Sequence, residues 1–397
     1  FFVRPVPTPR VATPGRWHHC SSEFLVLRIC VQVPMLKQRN LRCTVWLLAA
    51  WTSCALGLQA EGPAPFMMLT QVGGRVLEGQ PLAWTADTML LLGRDGQLHQ
   101  FAPQRAENSK KSAPSFRGYS INEMQTLLRE EFDNSFEVSH SQHFVVAHPK
   151  GVWSVWVDRL ESLYRSFSHY LSVRGFDLDA PQVPLVAIVF RNQADYYSYA
   201  AKSGSPLQPG TLGHYDPTSN RIYLFDAGLE SGQDWGASVD TIIHEATHQT
   251  AYNVGVHRRF AEQPRWLVEG LAMMFEARGL WDPRSTQTRA DRINEGRLAD
   301  FRYLLANRSP DTLVQLIASD NLFRTDAGAA YAEAWTLSFF LCETRPQAYC
   351  DYLQRVGQRK AFSSYSATKR VQDFRRYFGN DFKQLDAEFC HFVDDLP

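Results

Sequence analysis

No apolar run in this sequence reaches the ~20 residues that a membrane-spanning helix needs. The longest candidate, Val45–Leu58, has fourteen. A polytopic helical membrane protein is therefore excluded. The chain also lacks a net charge: Lys+Arg and Asp+Glu both count 41. That balance argues against binding nucleic acid through bulk charge. Cysteine is scarce. Of seven, Cys20, Cys30, Cys43 and Cys54 lie in the first sixty residues, leaving Cys342, Cys350 and Cys390. An odd number permits one disulfide at most. Pro346 breaks the helix between Cys342 and Cys350, which lets those two meet; three buried thiols are the alternative. There is no internal repeat. What the chain does have is 44% hydrophobic and 21% charged residues, ordinary globular values that exclude a wholly disordered chain.

The first sixty residues hold seven basic residues and one acid, Glu23. Without them 34 basic residues face 40 acidic ones, a net charge of −6. Residue 1 is Phe, whereas Met35 is followed by Lys37, Arg39 and Arg42, then Val45–Leu58, then Gln59-Ala60. A basic stretch, a short apolar stretch and a small residue form a secretory signal. The expected arrangement is an upstream leader over 1–34, a signal peptide over 35–60, and export to the periplasm, cell surface or exterior. Trp51 occupies the place where a lipoprotein signal ending at Cys54 needs a small aliphatic residue, so lipid attachment is not expected.

Residues 61–135 read as a small β-rich domain. Met89–Leu92 and Leu98–Phe101 flank Gly93-Arg94-Asp95-Gly96-Gln97, and Asp-Gly between apolar runs signals a hairpin. Residues 103–118 are polar and read as a loop, and Asn122–Phe132 as a short amphipathic helix. From 136 the pattern changes. Strands are expected at 144–147, 184–190 and 221–226, a long helix at 152–173, a short one at 194–201, and helix throughout after Ser238. Strands first and helices after give an α+β fold.

The strongest chemical signal is Thr241–Gln249, T-I-I-H-E-A-T-H-Q. His244 and His248 are four apart, so both imidazoles leave one face of a helix at one height. At that spacing two neutral imidazoles grip one Zn²⁺, and Glu245 reaches a metal-bound water. Catalytic zinc needs a third protein ligand and an open fourth position. Glu269 lies in the apolar segment W-L-V-E-G-L-A, where a carboxylate is costly unless it is paired or ligates metal. An ion pair with Arg265 is the bland alternative, and His257 a rival ligand. The long H-E-x-x-H-x-x-G-x-x-H pattern is excluded, because Ala251 and Val254 stand where it needs Gly and His.

H-E-A-T-H-Q followed by W-L-V-E-G-L-A resembles the gluzincin metallopeptidases. It is closer still to an uncharacterised bacterial family of the peptidase MA-like group known as a domain of unknown function. Gly213–Pro217, Asn220–Ile222, Tyr331–Trp335 and Phe378–Asp381 with Leu385-Asp386 extend the likeness over about 136–397. The resemblance implies a zincin-like peptidase domain over 136–397: a small mixed sheet, an active-site helix and a helical C-terminal half. It implies zinc as cofactor, His244, His248 and Glu269 as ligands, Glu245 as general base, and a peptide or protein as substrate. Gluzincins often take an oxyanion donor from downstream helices. Tyr331 is either that donor or a core tyrosine beside Trp335 and Phe339. Glu276, seven residues after Glu269, either orients a ligating imidazole or faces solvent. The G-x-M-E-N strand of aminopeptidases is missing, so the strand carrying Arg221, Ile222, Tyr223 and Leu224 is expected to pair with an extended peptide for internal cleavage. A catalytically idle binding protein, or a hydrolase of a non-peptide amide in the cell envelope, is the alternative.

Overall fold

A computed structural model describes residues 64–151, 155–203, 207–225, 239–282 and 288–397. The expected leader and signal peptide lie outside the described residues. Among the described residues, two five-stranded sheets occupy the front half with three α-helices set between their strands, and the back half is helical. The first sheet holds β1 (Met67–Val72), β2 (Arg75–Trp84), β3 (Met89–Gly93), β4 (Leu98–Phe101) and β5 (Ala106–Ala113), ordered β4-β3-β2-β1-β5. All its pairings are antiparallel. The expected hairpin is there: β3 and β4 pair across a turn in which Gly96 takes φ +82°, a conformation glycine adopts without strain. The expected loop over 103–118 is corrected. Residues 106–113 pair with β1 as an outer strand whose side chains are almost all exposed. Its polarity hid it, because an outer strand with both faces wet has no apolar alternation to read.

Helix α1 (Ile121–Glu131) is started by a capping box, in which Ser120 and Glu123 satisfy each other's backbone amides. Met124 and Leu128 pack on the second sheet, so α1 shares a core with that sheet. The second sheet contains β6 (Phe136–His140), β7 (Phe144–Pro149), β8 (Leu185–Phe190), β9 (Gly213–Asp216) and β10 (Arg221–Phe225), ordered β6-β7-β8-β10-β9. Strands β7, β8 and β10 are mutually parallel; β6 and β9 are antiparallel and outermost. The central strands are buried on both faces, which is why V-V-A and L-V-A-I-V-F are continuous apolar runs. Alternate residues serve two cores. Phe144, Val146, Leu185, Ala187, Val189, Ile222 and Leu224 face the large core under α2 (Val155–Ser172) and α4 (Val239–Asn253). Val145, Ala147, Val186, Ile188, Phe190, Tyr223 and Phe225 face α1 and α3 (Gln193–Lys202).

Beyond α4 the chain is helical: α5 (Arg265–Glu276), α6 (Glu295–Leu305), α7 (Thr312–Ala318), α8 (Ala327–Thr344), α9 (Pro346–Gly357), α10 (Ala367–Phe378) and α11 (Phe382–Asp394), with short helical turns between. Gly270 explains how α5 and α8 come so close: a Cβ there would run into the Ala334 carbonyl and Ser338 Oγ. Cys342, Cys350 and Cys390 are free thiols, the first two buried. The Cys342 sulfur lies 3.2 Å from the Tyr170 hydroxyl. The protein is mixed α+β with a β-rich front and a helical back half. Among the described residues no helix is long and apolar enough to cross a membrane.

Candidate metal centre

Helix α4 is pinned to the second sheet by polar residues inside its own motif. Gln249 donates to the carbonyls of Val186 and Asn220, at 2.9 and 2.8 Å. Asn253, one turn on, exchanges hydrogen bonds with the Asn220 side chain. Asn220 holds φ +62° in the turn between β9 and β10, a conformation that asparagine tolerates better than most residues. The helix is thereby fixed with His244 and His248 facing α5.

The two imidazoles stand edge to face, their ring centres 4.6 Å apart. Their Nε2 atoms are 3.0 Å apart. Glu269, on α5 and fully buried, brings Oε2 to 3.2 Å from His244 Nε2 and 3.6 Å from His248 Nε2. Each residue of this trio offers a ligand atom within 4.8 Å of the others. Donors held ~2.0–2.2 Å from a tetrahedral zinc ion stand roughly 3.3–3.6 Å apart, so the donor set fits zinc in type and in spacing. His257 is buried beside Tyr252, ring centres 5.4 Å apart, and lies outside the trio.

The surroundings tune these groups. Burial works against a charge on His244, but its contacts with Glu269 and Glu276 outweigh it and push the imidazole up to about 10 in the metal-free chain. Burial likewise opposes ionisation of Glu269, yet the two histidines hold its carboxyl well below the usual range. Glu276 reaches Nδ1 of His244 at 2.8 Å, and its other oxygen accepts from Asn294 Nδ2 at 2.7 Å. Glu245 is buried, which raises its carboxyl. Its Oε2 accepts the Tyr215 backbone N–H at 2.7 Å. Tyr331 lies on α8 and is buried; its phenol oxygen accepts from Arg265 Nη2 at 3.0 Å. Arg265 Nε also donates to Glu269 Oε1, at 3.3 Å. Glu269 thus faces the arginine and the histidines at once, where the sequence had offered them as alternatives.

One expectation is overturned. The strand carrying Arg221, Ile222, Tyr223 and Leu224 is not at an edge: β10 pairs with β8 on one side and β9 on the other. Its backbone groups are occupied. Among the described residues the edge is β9, the strand that supplies the Tyr215 amide to Glu245. Asn294 and the Tyr215 amide went unread in the sequence, because nothing local marks either. Arg265 was legible, four residues before Glu269 and so on one helix face with it.

Residues 238–363 match the family described as protein of unknown function (DUF1570). No curated protein matches the chain. Among solved structures, it is similar to a substituted M1 zinc metallopeptidase from Deinococcus radiodurans, at 11% identity and a TM-score of 0.38, over 85% of this chain and 61% of that one. A second structure of that enzyme, bound to a Tyr-Ser-Ala substrate, gives 13% identity and a TM-score of 0.33, over 65% of this chain and 51% of the other. The chain therefore spans less than two thirds of those enzymes.

Proposed function

We infer that this protein is an exported zinc peptidase that cuts within peptide chains. The observation that carries the reading is the convergence of His244 Nε2, His248 Nε2 and Glu269 Oε2 next to the buried Glu245. Zinc held there supplies polarisation of a carbonyl and a lowered pKa for water. Glu245 takes the proton of the attacking water and returns it to the leaving amine. Its carboxyl is raised by burial, which strengthens it as a base, and the Tyr215 amide fixes its orientation. The Tyr331 phenol, whose oxygen already accepts from Arg265, serves as donor to the developing oxyanion through its O–H.

Strand β9 is where an extended substrate would add as a further strand. The Tyr215 N–H points away from β10 toward Glu245, so that side of β9 faces the base. A strand added there would pass beside the base, which suits internal cleavage. Export rests on the Lys37–Ala60 pattern, and nucleic acid is not an expected partner of a chain with balanced charge.

The test is digestion of a mixed peptide library, read by mass spectrometry. Internal cuts should be abolished by chelation and restored by zinc. A library left intact by zinc-loaded protein would overturn the reading.

A further inference from the structure

We propose that Arg265 is a positioning residue of this centre, holding Glu269 to ligation through one oxygen and orienting the Tyr331 phenol. The proposal rests on the zinc-peptidase reading of the same site. Arg265 sits in the first turn of α5, one turn before Glu269. The two oxygens of Glu269 have separate neighbours: Oε2 faces His244 and His248, whereas Oε1 accepts from Arg265 Nε. The same guanidinium donates to Tyr331 through Nη2. One rigid, planar group therefore sets the spacing between the third ligand and the residue read as oxyanion donor.

Arg265 is itself held in place. Its guanidinium lies over the Phe323 ring, 4.8 Å from the centroid, and Phe323 packs edge-on to Tyr331 at 5.3 Å. Its backbone N–H donates to Asp320 Oδ1 at 2.9 Å. Asp320 is fixed by Arg370 through two bonds of 2.7 and 3.1 Å. The chemistry comes from the fork. Hydrogen bonds from an arginine draw charge from Oε1 and leave Oε2 as the free donor atom. A carboxylate restricted to one oxygen leaves a coordination position open for water and substrate, as a catalytic site requires. A phenol that accepts from a cation is also a stronger donor through its own proton. Lysine carries the charge but not the planar fork, so it cannot serve both partners from one fixed geometry.

The experiment compares wild-type full chain with Arg265→Met and Arg265→Lys. Zinc affinity is read by competition with a chromogenic chelator, and coordination by the visible absorption of the cobalt(II)-substituted protein. Arg265→Met should weaken zinc affinity ~10–100-fold, the usual effect of losing a partner of a metal ligand. Its cobalt absorption should weaken, as Glu269 binds through both oxygens and the coordination number rises. Arg265→Lys should move both readings part of the way, and it carries the test if circular dichroism shows the methionine variant unfolded. Wild-type affinity and an unchanged cobalt spectrum in the variants would overturn the role of Arg265 while leaving the zinc site standing. A wild-type chain that takes up neither metal would overturn the zinc reading itself, and this proposal with it.

Discussion

Glu276 Oε1 stands 2.8 Å from Nδ1 of His244, on the opposite edge of the ring from Glu269. A carboxylate there keeps the proton on Nδ1 and frees Nε2 as a metal donor. Its second oxygen is tied to Asn294, so the orienting group is itself oriented. Glu276→Gln should weaken zinc affinity ~10–100-fold, measured by chelator competition. Unchanged affinity would make Glu276 a bystander.

The purified chain is expected to carry one zinc per molecule. Metal analysis after mild dialysis, or intact mass under native conditions, should give about one equivalent. His248→Ala and Glu269→Ala should each abolish it, because two donors alone rarely hold zinc in an open site. Zinc retained at full stoichiometry in either variant would place the ion elsewhere.

Glu245→Gln separates base from ligand. The glutamine oxygen can still accept the Tyr215 amide, so fold and metal content should persist. Hydrolysis should fall ~10²–10⁴-fold, the usual weight of a positioned general base. A variant that digests peptides at the wild-type rate would remove Glu245 from the mechanism.

Much of this site was legible because its chemistry is local in sequence. His244, His248 and Glu245 share one helix, and Glu269 and Glu276 share another, so helical spacing alone aligns each set. The burial of β8 on both faces was equally readable, because L-V-A-I-V-F is apolar throughout. What escaped depends on strand order. Nothing in R-I-Y-L-F says that β9 folds back to cover its outer side, and the sheet edge therefore shifted from Arg221–Leu224 to Gly213–Asp216. Strand β5 escaped for the opposite reason: E-N-S-K-K-S has no buried face. Asn294 lies 50 residues beyond His244, and only the packing of the α6 start against α5 brings it to Glu276.

His257 gives a pH dependence. Both its ring nitrogens are buried, and the net effect of their surroundings opposes a charge on the ring. Burial, reinforced by His248, pushes it down to about 3. The unfolded chain titrates near ~6.5. Above that pH neither state is protonated and the stabilising contribution is complete. As pH falls from about 6.5 toward 3, the unfolded state takes a proton that the native state refuses, and stability is lost. In metal-free protein this one group should contribute a slope of about 1.4 kcal/mol per pH unit across that window. His257→Phe should flatten the denaturation profile by that amount. Parallel profiles for variant and wild type would show that His257 charges freely in the fold.

Tyr331→Phe tests the most consequential hydroxyl. It is buried on α8, with its oxygen on Arg265, and as oxyanion donor it works only in the transition state. Loss of such a donor should lower kcat and kcat/KM together by ~10²–10³, or roughly 3–4 kcal/mol, with KM nearly constant. Zinc content should not change, because Arg265 still reaches Glu269. A purely structural tyrosine behaves otherwise. Removing its hydroxyl strands one N–H of a half-buried guanidinium, which costs about 1–3 kcal/mol of stability at most, and kcat stays within a few-fold of wild type. The two roles move different measurements, so rate and melting temperature on this one variant decide between them. With kcat unchanged and Tm lowered, the donor would have to be another group on the cleft side of α4 or β9.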